Sequence, residues 1–359
     1  MSLLNNNFRI QNMALRTEDL QPEEKQDAWA DAMRSIYDIG FPSNSRNGFH
    51  AKIDAWLLEN LIFTKVAFGE QRFDRRERQL RQDDLGYLSL QIYRSGQLTG
   101  ILDDQLVQMS PGAIHILDFS RNWQAIADDS VVEGIIIPHG AIGYDPSRHP
   151  AHMKFDLQSP TGRVLENAMK SLIQQLPDTL LKDAPPLAAG FRGLLRGLVM
   201  SQDSSSSTVC TARTKAMRDY IDQHIAQVTL GPSHLCKAFG ISRATVYRAF
   251  ETDGGLQHYI LQRRLEHAFR DLAFGPTGRG RVVKASERWG FTSVSHFSRL
   301  FRARFGIPPS EAVSASFEQR AGRQIRSVPL AENVNFEPWL KRLRFHSTSE
   351  TPVRQVATG

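Results

Sequence analysis

Cysteine is scarce in this chain of 359 residues, which has only Cys210 and Cys236. Two cysteines can form neither a disulfide framework nor a four-cysteine zinc site, so we expect a protein of the reducing cytoplasm. The sequence also lacks any run of about 18 apolar residues, and it opens without the basic-then-apolar pattern of a signal peptide. We therefore expect neither a membrane span nor secretion.

Acidic residues are unevenly distributed, and they are few in the back part of the chain. Residues 214–320 carry 16 basic and 9 acidic side chains, a net charge of +7, whereas residues 1–213 carry 22 and 26, a net charge of −4. The formal net charge of the whole chain is +6. This asymmetry predicts that only the back part meets a polyanion such as nucleic acid.

The front part of the chain has the pattern of short strands between helices. A first helix is predicted at 22–39, where Pro and two Glu residues make a good first turn. From 49 to 142, short β-branched and aromatic runs alternate with turn signals, which indicates a β-sandwich or barrel. Helical patterns follow at 161–176 and 186–200, and the serine run SQDSSSST after them has the composition of a linker.

A repeated unit occurs in the basic part of the chain. "FGISRATVYRAF" (239–250) and "WGFTSVSHFSRLF" (289–301) both run from an aromatic residue and Gly into a helix that ends in Arg-x-aromatic. With a short helix before each Gly, at 233–239 and 282–289, each copy has the parts of a helix-turn-helix.

Turn and capping residues support this interpretation. Gly240 and Gly290 suit the turns, because glycine adopts the left-handed conformation at little cost. Ser242 and Thr292 are predicted to cap the second helix of each copy.

A helical wheel divides each second helix into a buried and an exposed side. The predicted buried residues are Val246, Ala249 and Phe250 in the first copy and Val294, Phe297, Phe301 and Phe305 in the second. The candidate DNA-contacting residues are Ser242, Arg243, Ala244, Thr245, Tyr247 and Arg248 in the first copy and Ser293, Ser295, His296, Arg299 and Arg302 in the second. Such side chains can donate to phosphates and base edges, although a solvated basic face is the simpler alternative for any one helix taken alone.

The stretch 256–274 between the copies is predicted to be one long helix that joins them. If it holds the two recognition helices about 34 Å apart, they enter successive major grooves on one face of the DNA.

At these residues the sequence resembles the AraC/XylS family of bacterial transcription regulators. The likeness covers about residues 217–312, and its most specific parts are "GISRATVYRAF", "RRLEHA" and "GFTSVSHFSRLFRARFGIPPSE". DNA contacts implied by the resemblance fall on Arg243, Ala244, Tyr247, Arg248, Ser295, His296 and Arg299. The strand-rich front, with "QMSPGAIHILDF" and "VEGIIIPHGAI", looks like the cupin-like sensing domain of many members.

The resemblance completes the prediction of fold and partners. We expect an α+β protein: a cupin-like β-barrel or sandwich with flanking helices at 1–200, a linker at 201–213, a double helix-turn-helix domain at 214–320 and a tail at 321–359. Its expected function is that of an activator of transcription. The expected partners are double-stranded DNA, a small-molecule effector, RNA polymerase and a second copy of the chain through the helices at 161–200. No cofactor is expected, and strand register must be known before effector contacts can be chosen.

The main alternative is a cupin-type metal enzyme or a small-molecule binder with a helical appendage, since cupin-like barrels can hold catalytic metals. A metal cupin needs a His-x-His pair with a carboxylate and a further His, and no His-x-His occurs. His115 is predicted to be alone on its strand, and His149 and His152 to lie in a loop. The sequence also has no Gly-x-Ser-x-Gly and no glycine-rich phosphate loop, so we expect neither catalysis nor a metal. A third alternative is a regulator without a small-molecule effector, controlled by abundance or by a protein partner.

Overall fold

The computed structural model describes residues 8–42, 48–75, 86–103, 105–201, 208–276, 278–314, 317–319 and 336–347. The chain divides into two compact units: Met1–Asp203 with Phe317–Gly359, and Ser204–Ser316. The domain limits given by the sequence stay predictions, although the described parts of the predicted tail belong to the first unit. None of the described helices is long and apolar enough to span a bilayer.

The first unit contains two antiparallel sheets. Its strands are β1 (Gln11–Arg16), β2 (Asp38–Pro42), β3 (Ala51–Leu58), β4 (Leu61–Phe68), β5 (Gln71–Arg75), β6 (Tyr87–Ser95), β7 (Leu98–Leu102), β8 (Gln105–Met109), β9 (Ala113–Asp118), β10 (Trp123–Ala127), β11 (Ser130–Pro138), β12 (His152–Asp156) and β13 (Phe317–Gln319). One sheet has the order β1-β3-β4-β11-β6-β9-β12 and the other β13-β2-β5-β10-β7-β8. The sheets stay separate, so the predicted strand-rich domain is a sandwich and not a closed barrel.

The described α-helices of the first unit are α1 (Lys25–Met33), α2 (His139–Ile142), α3 (Pro160–Gln175), α4 (Ala184–Met200) and, after the second unit, α12 (Glu337–Ser347). Side chains of α2, α3 and α4 pack on the outer face of the seven-stranded sheet, whereas those of α1 and α12 belong to the core between the sheets. Along β11, Val132 and Ile136 point into the core between the sheets, whereas Ile135 and Ile137 join the core under α3 and α4. Because both faces are covered, strands such as LIFTKVAF are apolar almost throughout.

The first predicted helix was too long. Helix α1 ends at Met33, and residues 38–42 form β2, which pairs with β5 from Asp38↔Asp74 to Gly40↔Arg72. Pairing with a neighbouring strand outweighs the local helical pattern here, because burial of Ile39 and Phe41 in the inter-sheet core requires an extended backbone. The helices predicted at 161–176 and 186–200 are confirmed by α3 and α4.

The second unit is helical throughout its described residues. Its helices are α5 (Thr208–Gln223), α6 (Pro232–Phe239), α7 (Arg243–Ala249), α8 (Leu256–Phe274), α9 (Arg281–Arg288), α10 (Val294–Phe305) and α11 (Pro309–Ser314). Helix α8 confirms the predicted joining helix at 256–274, and α5 begins within the stretch predicted to be a linker.

Polar contacts tie α8 to both ends of this unit. Arg263, almost fully buried, donates to both carboxylate oxygens of Asp222 on α5 at 2.8 and 3.0 Å. The indole N–H of Trp289, which follows α9, donates to the carboxylate of Asp271 on α8 at 2.9 Å. Helix α8 is thereby joined to α5 and to the residue that follows α9, by hydrogen bonds to carboxylates that are stronger than neutral ones.

Candidate nucleic-acid interface and ligand cavity

Two helix-turn-helix units are formed, by α6 with α7 and by α9 with α10. Gly240 and Gly290 stand in the turns with φ of +62° and +77°, the left-handed region that glycine enters without strain. Gly240 ends α6, and its N–H donates to the carbonyl of Cys236. The predicted role of both glycines is confirmed.

The N-caps of the two second helices are serines. The hydroxyl of Ser242 accepts from the N–H of Thr245, and that of Ser293 accepts from the N–H of His296, each at 3.3 Å. The predicted cap at Thr292 is wrong: α10 begins at Val294, so the stretch from the glycine to the helix is one residue longer in the second copy than in the first. Each recognition helix, α7 or α10, begins directly after its capping serine.

Aromatic side chains anchor α10. The ring of Phe297 lies 4.9 Å from that of Phe291 and 5.5 Å from that of Phe301, and Phe301 lies 4.5 Å from Phe305. Phe269 of α8 packs on Phe305 at 4.9 Å. These contacts confirm the predicted phenylalanine stripe, and burial of so many rings fixes which side of α10 faces outward.

The other predicted core positions agree with one exception. Val246 and Phe250 of the first helix-turn-helix are fully buried, and Ala249 is half-buried. Val294 is instead 36 % exposed, because it opens the first turn of α10, beyond the reach of the Phe cluster.

The candidate DNA-contacting side chains lie on the opposite side of each helix. Thr245 is half-buried, and the others are exposed: Ser242, Arg243, Ala244, Tyr247, Arg248, Ser293, Ser295, His296, Arg299 and Arg302. Arg243 donates to the hydroxyl of Ser233 at 3.1 Å.

Three arginines at this surface are uncompensated. Within the described residues, the side chains of Arg248, Arg299 and Arg302 form no hydrogen bond or ion pair. Arg248 and Arg299 each stand six residues after the capping serine. Each follows by two residues a fully buried anchor, Val246 or Phe297. The two helix-turn-helix copies therefore present a guanidinium at the same position of the recognition helix, where it can reach a phosphate or a guanine edge.

A cavity of about 90 Å³ lies between the two sheets of the first unit. Its wall is mostly apolar, and its aromatic members include Trp29, Tyr37, Tyr93, Trp123 and Phe336. Thr64, Ser89 and Gln91 supply polar groups, and no Asp, Glu, Lys, Arg or His is among the described residues that line it. Burial raises the pKa of Tyr37 and of Tyr93 well above the ordinary value, so both phenols stay neutral donors.

Two family models match the chain and together span both units. A helix-turn-helix domain model matches residues 235–314, and an AraC-binding-like domain model matches residues 34–200. The chain belongs to the AraC family of transcription regulators. It is accordingly a DNA-binding regulator of transcription that responds to a ligand, as the resemblance in its sequence implied.

Named relatives of this AraC family member are regulators as well. It is 24 % identical over 321 residues to the transcriptional activator NphR of Rhodococcus sp, covering 83 % of this chain and 91 % of that one. It is 25 % identical over 100 residues to the transcriptional activator RhrA of Rhizobium meliloti, covering 28 % of this chain and 32 % of that one. The crystal structure of the AraC-like transcriptional activator CuxR is 21 % identical, with a TM-score of 0.48, covering 73 % of this chain and 96 % of that one.

One histidine of this AraC family protein lies elsewhere than the sequence predicted, and it changes the surroundings of another. His115 is alone on β9, as predicted, but its Nδ1 lies 3.1 Å from Nε2 of His152 on the neighbouring strand, and the two rings stack at 5.4 Å. His152 starts β12 next to β9 and is not in a loop. Within the described part of the chain, no group of three or more His, Cys, Asp or Glu is placed to hold a metal ion.

Sequence reasoning also missed the wall of the cavity. Its members come from strands and helices throughout the first unit, and Phe336 comes from the predicted tail. No local pattern marks these residues, because the same aromatic and β-branched residues are found on every buried strand.

Proposed function

We propose that α7 and α10 enter the major groove of operator DNA and that their outward side chains read it. The proposed contacts are Ser242, Arg243, Ala244, Thr245, Tyr247 and Arg248 in the first helix-turn-helix and Ser293, Ser295, His296, Arg299 and Arg302 in the second. The carrying observation is the matched pair Arg248 and Arg299, exposed and uncompensated in both units. A basic helix on a rigid anchor gains counterion release on DNA and can form bidentate bonds to guanine.

Substitution of the matched arginines tests this proposal. Operator DNA is first obtained by mapping the genomic fragments that the protein binds. Arg248→Ala and Arg299→Ala are then titrated against it by fluorescence anisotropy, and we expect each to weaken binding by about 1–3 kcal/mol, roughly 5- to 150-fold. Each substitution should also relax the preference for one base pair.

The control removes the same charge elsewhere in the unit. Lys215 is exposed on α5, outside both helix-turn-helix units, so Lys215→Ala should change affinity by less than about twofold, as exposed charges separated by more than a Debye length are screened. If the three variants lose equal affinity, the arginines act through bulk charge alone. Unchanged binding by both arginine variants would refute the assignment.

The regulator is further proposed to be an activator that works with RNA polymerase. NphR and RhrA are both named as transcriptional activators, which supports this direction. We propose a cytoplasmic protein that acts by binding and not by catalysis, since chromosomal DNA is its target.

Dimerisation is proposed to use the outer surface of α3 and α4. Val164 is 57 % exposed on α3, and Leu187 and Leu194, seven residues apart on α4, are 37 and 43 % exposed. Apolar side chains on adjacent helices at this spacing are typical of a surface that pairs with a second copy.

The inter-sheet cavity is proposed as the site of a small-molecule effector. Its wall is mostly apolar with a few polar groups, which is the composition of small-molecule sites. The absence of an ionisable carboxylate, amine or imidazole from its described wall favours a neutral ligand, since an unpaired charge would be costly there.

A further inference from the structure

The end of the chain returns to the sandwich after the DNA-binding unit. Backbone pairing joins β13 to β2, from Phe317↔Pro42 to Gln319↔Gly40. Further along, α12 lies beside β11, and the hydroxyl of Tyr87 on β6 donates to the carbonyl of Leu340 at 3.1 Å. The first unit is therefore built from both sides of the DNA-binding unit in sequence.

Helix α12 and the residue before it are anchored by one apolar side. Phe336 and Leu343 are fully buried, and Trp339 and Leu340 are nearly so, all within the core between the sheets. The opposite side is polar and exposed, with Lys341 bonded to Glu337 at 2.6 Å. Burial on this scale makes α12 part of the sandwich core and not a loose tail.

Phe336 is the member of this segment that reaches the cavity. Its ring faces the space that Trp29, Tyr37, Tyr93 and Trp123 enclose from the sheets and α1. With Phe336 in place the cavity is about 90 Å³. An apolar cavity that binds benzene measures about 150 Å³, so the space left beside Phe336 is smaller than one known to hold an aromatic ring.

We propose that Phe336 occupies the place of the effector's ring and that a neutral aromatic effector displaces it together with α12. This inference rests on the proposed function of the cavity as the effector site. The neutral polar groups Thr64, Ser89 and Gln91 then bond the effector's polar substituent. Because α12 and β13 follow the last helix of the DNA-binding unit in the chain, displacement changes how that unit is tethered to the sandwich.

The position of Phe336 in the wall lowers the apparent affinity for the effector. Ligand binds only the fraction of molecules in which Phe336 has left, so the apparent Kd is the intrinsic Kd divided by that fraction. Removal of the ring should therefore lower the apparent Kd, and a larger ring should raise it.

Indole, a neutral aromatic molecule with one N–H donor, serves as the probe with the full-length protein. By isothermal titration calorimetry, Phe336→Ala should bind indole at least about tenfold more tightly than the wild type, and Phe336→Trp more weakly. Leu343→Ala loosens α12 without altering the described wall of the cavity, so it should lie between the wild type and Phe336→Ala. Lys341→Ala, an exposed change on the same helix, should match the wild type.

A second measurement reports the displacement itself. Trypsin cleavage after Lys341 and Arg342 in wild-type protein, followed by mass spectrometry, should become faster at saturating indole, because both lie on α12. A folded Phe336→Ala that binds indole no more tightly than the wild type would overturn the inference. Tryptic cleavage that indole leaves unchanged would overturn it as well. Circular dichroism establishes folding of each variant. Operator binding by the wild type is measured without indole, so failure here leaves the DNA-binding proposal untouched.

Discussion

The stacked pair His115 and His152 should make the sandwich sensitive to mild acid. Burial, with smaller contributions from the neighbouring His152 and Lys154, lowers the pKa of His115 to about 3. Burial and Lys154 lower the pKa of His152 to about 4. Within the described residues Nε2 of His115 has no hydrogen-bond partner, so a proton there would be buried without compensation.

The direction of the effect follows from where each state takes up protons. Unfolded histidine titrates near pH 6.5, whereas the folded pair stays neutral to about pH 4 or below. Between these values the unfolded chain binds more protons than the folded one. The contribution of the two histidines to the free energy of unfolding is therefore fully present above pH 6.5 and is lost as the pH drops. At pH 5 each histidine has removed about 2 kcal/mol, and the pair about 4 kcal/mol.

Urea unfolding monitored by tryptophan fluorescence at pH 7.5 and at pH 5 measures this loss. Trp29, Trp56, Trp123 and Trp339 belong to the first unit, so the signal reports mainly on the sandwich. His152→Gln should lose about half of the pH dependence, and the exposed His50→Gln should keep all of it. A wild-type free energy of unfolding that changes by less than about 1 kcal/mol between these pH values would refute the reasoning.

Two further substitutions test how the DNA-binding unit is held together. Phe297→Ala removes a fully buried ring that contacts Phe291 and Phe301, so we expect the unit to lose about 3–5 kcal/mol and operator binding with it, seen by thermal circular dichroism and anisotropy, while indole binding to the sandwich persists. Asp222→Asn takes the carboxylate from buried Arg263 and should cost about 2 kcal/mol, whereas Asp219→Asn, exposed on the same helix, should cost less than about 0.5 kcal/mol in the same melts. Equal effects of the two Asn variants would contradict the importance of the buried pair.

Local signals allowed the DNA-binding unit to be predicted nearly residue by residue. Glycine in a left-handed turn, a serine cap and an aromatic stripe each depend on neighbours within one or two helical turns, so the sequence alone contains them. The error at Thr292 is of the same local kind. Thr292 and Ser293 are both good caps, and the choice between them depends on the length of the turn, which the residue types alone do not give.

The sandwich was predictable only as a class. Short β-rich runs indicate strands, but which strand lies beside which is set by contacts distant in sequence, such as β1 with β3 or β9 with β12. His115 and His152 become a pair only through that second pairing. Likewise residues 38 and 39, the end of the predicted first helix, belong to β2 because β5 offers a partner.

The C-terminal segment shows most clearly what a sequence pattern omits. Its amphipathic pattern from Glu337 onward indicates a short helix. No local pattern indicates that Phe336 and Leu343 belong to a core whose first members lie about 300 residues earlier in the chain. Once that contact is known, the connectivity gains a physical meaning. A ligand can alter DNA binding only if it favours one arrangement of the chain over another, and by linkage the DNA then favours the ligand by the same factor. A segment that follows the DNA-binding unit in the chain, and whose Phe336 either lines the cavity or leaves it, would supply two such arrangements within one polypeptide.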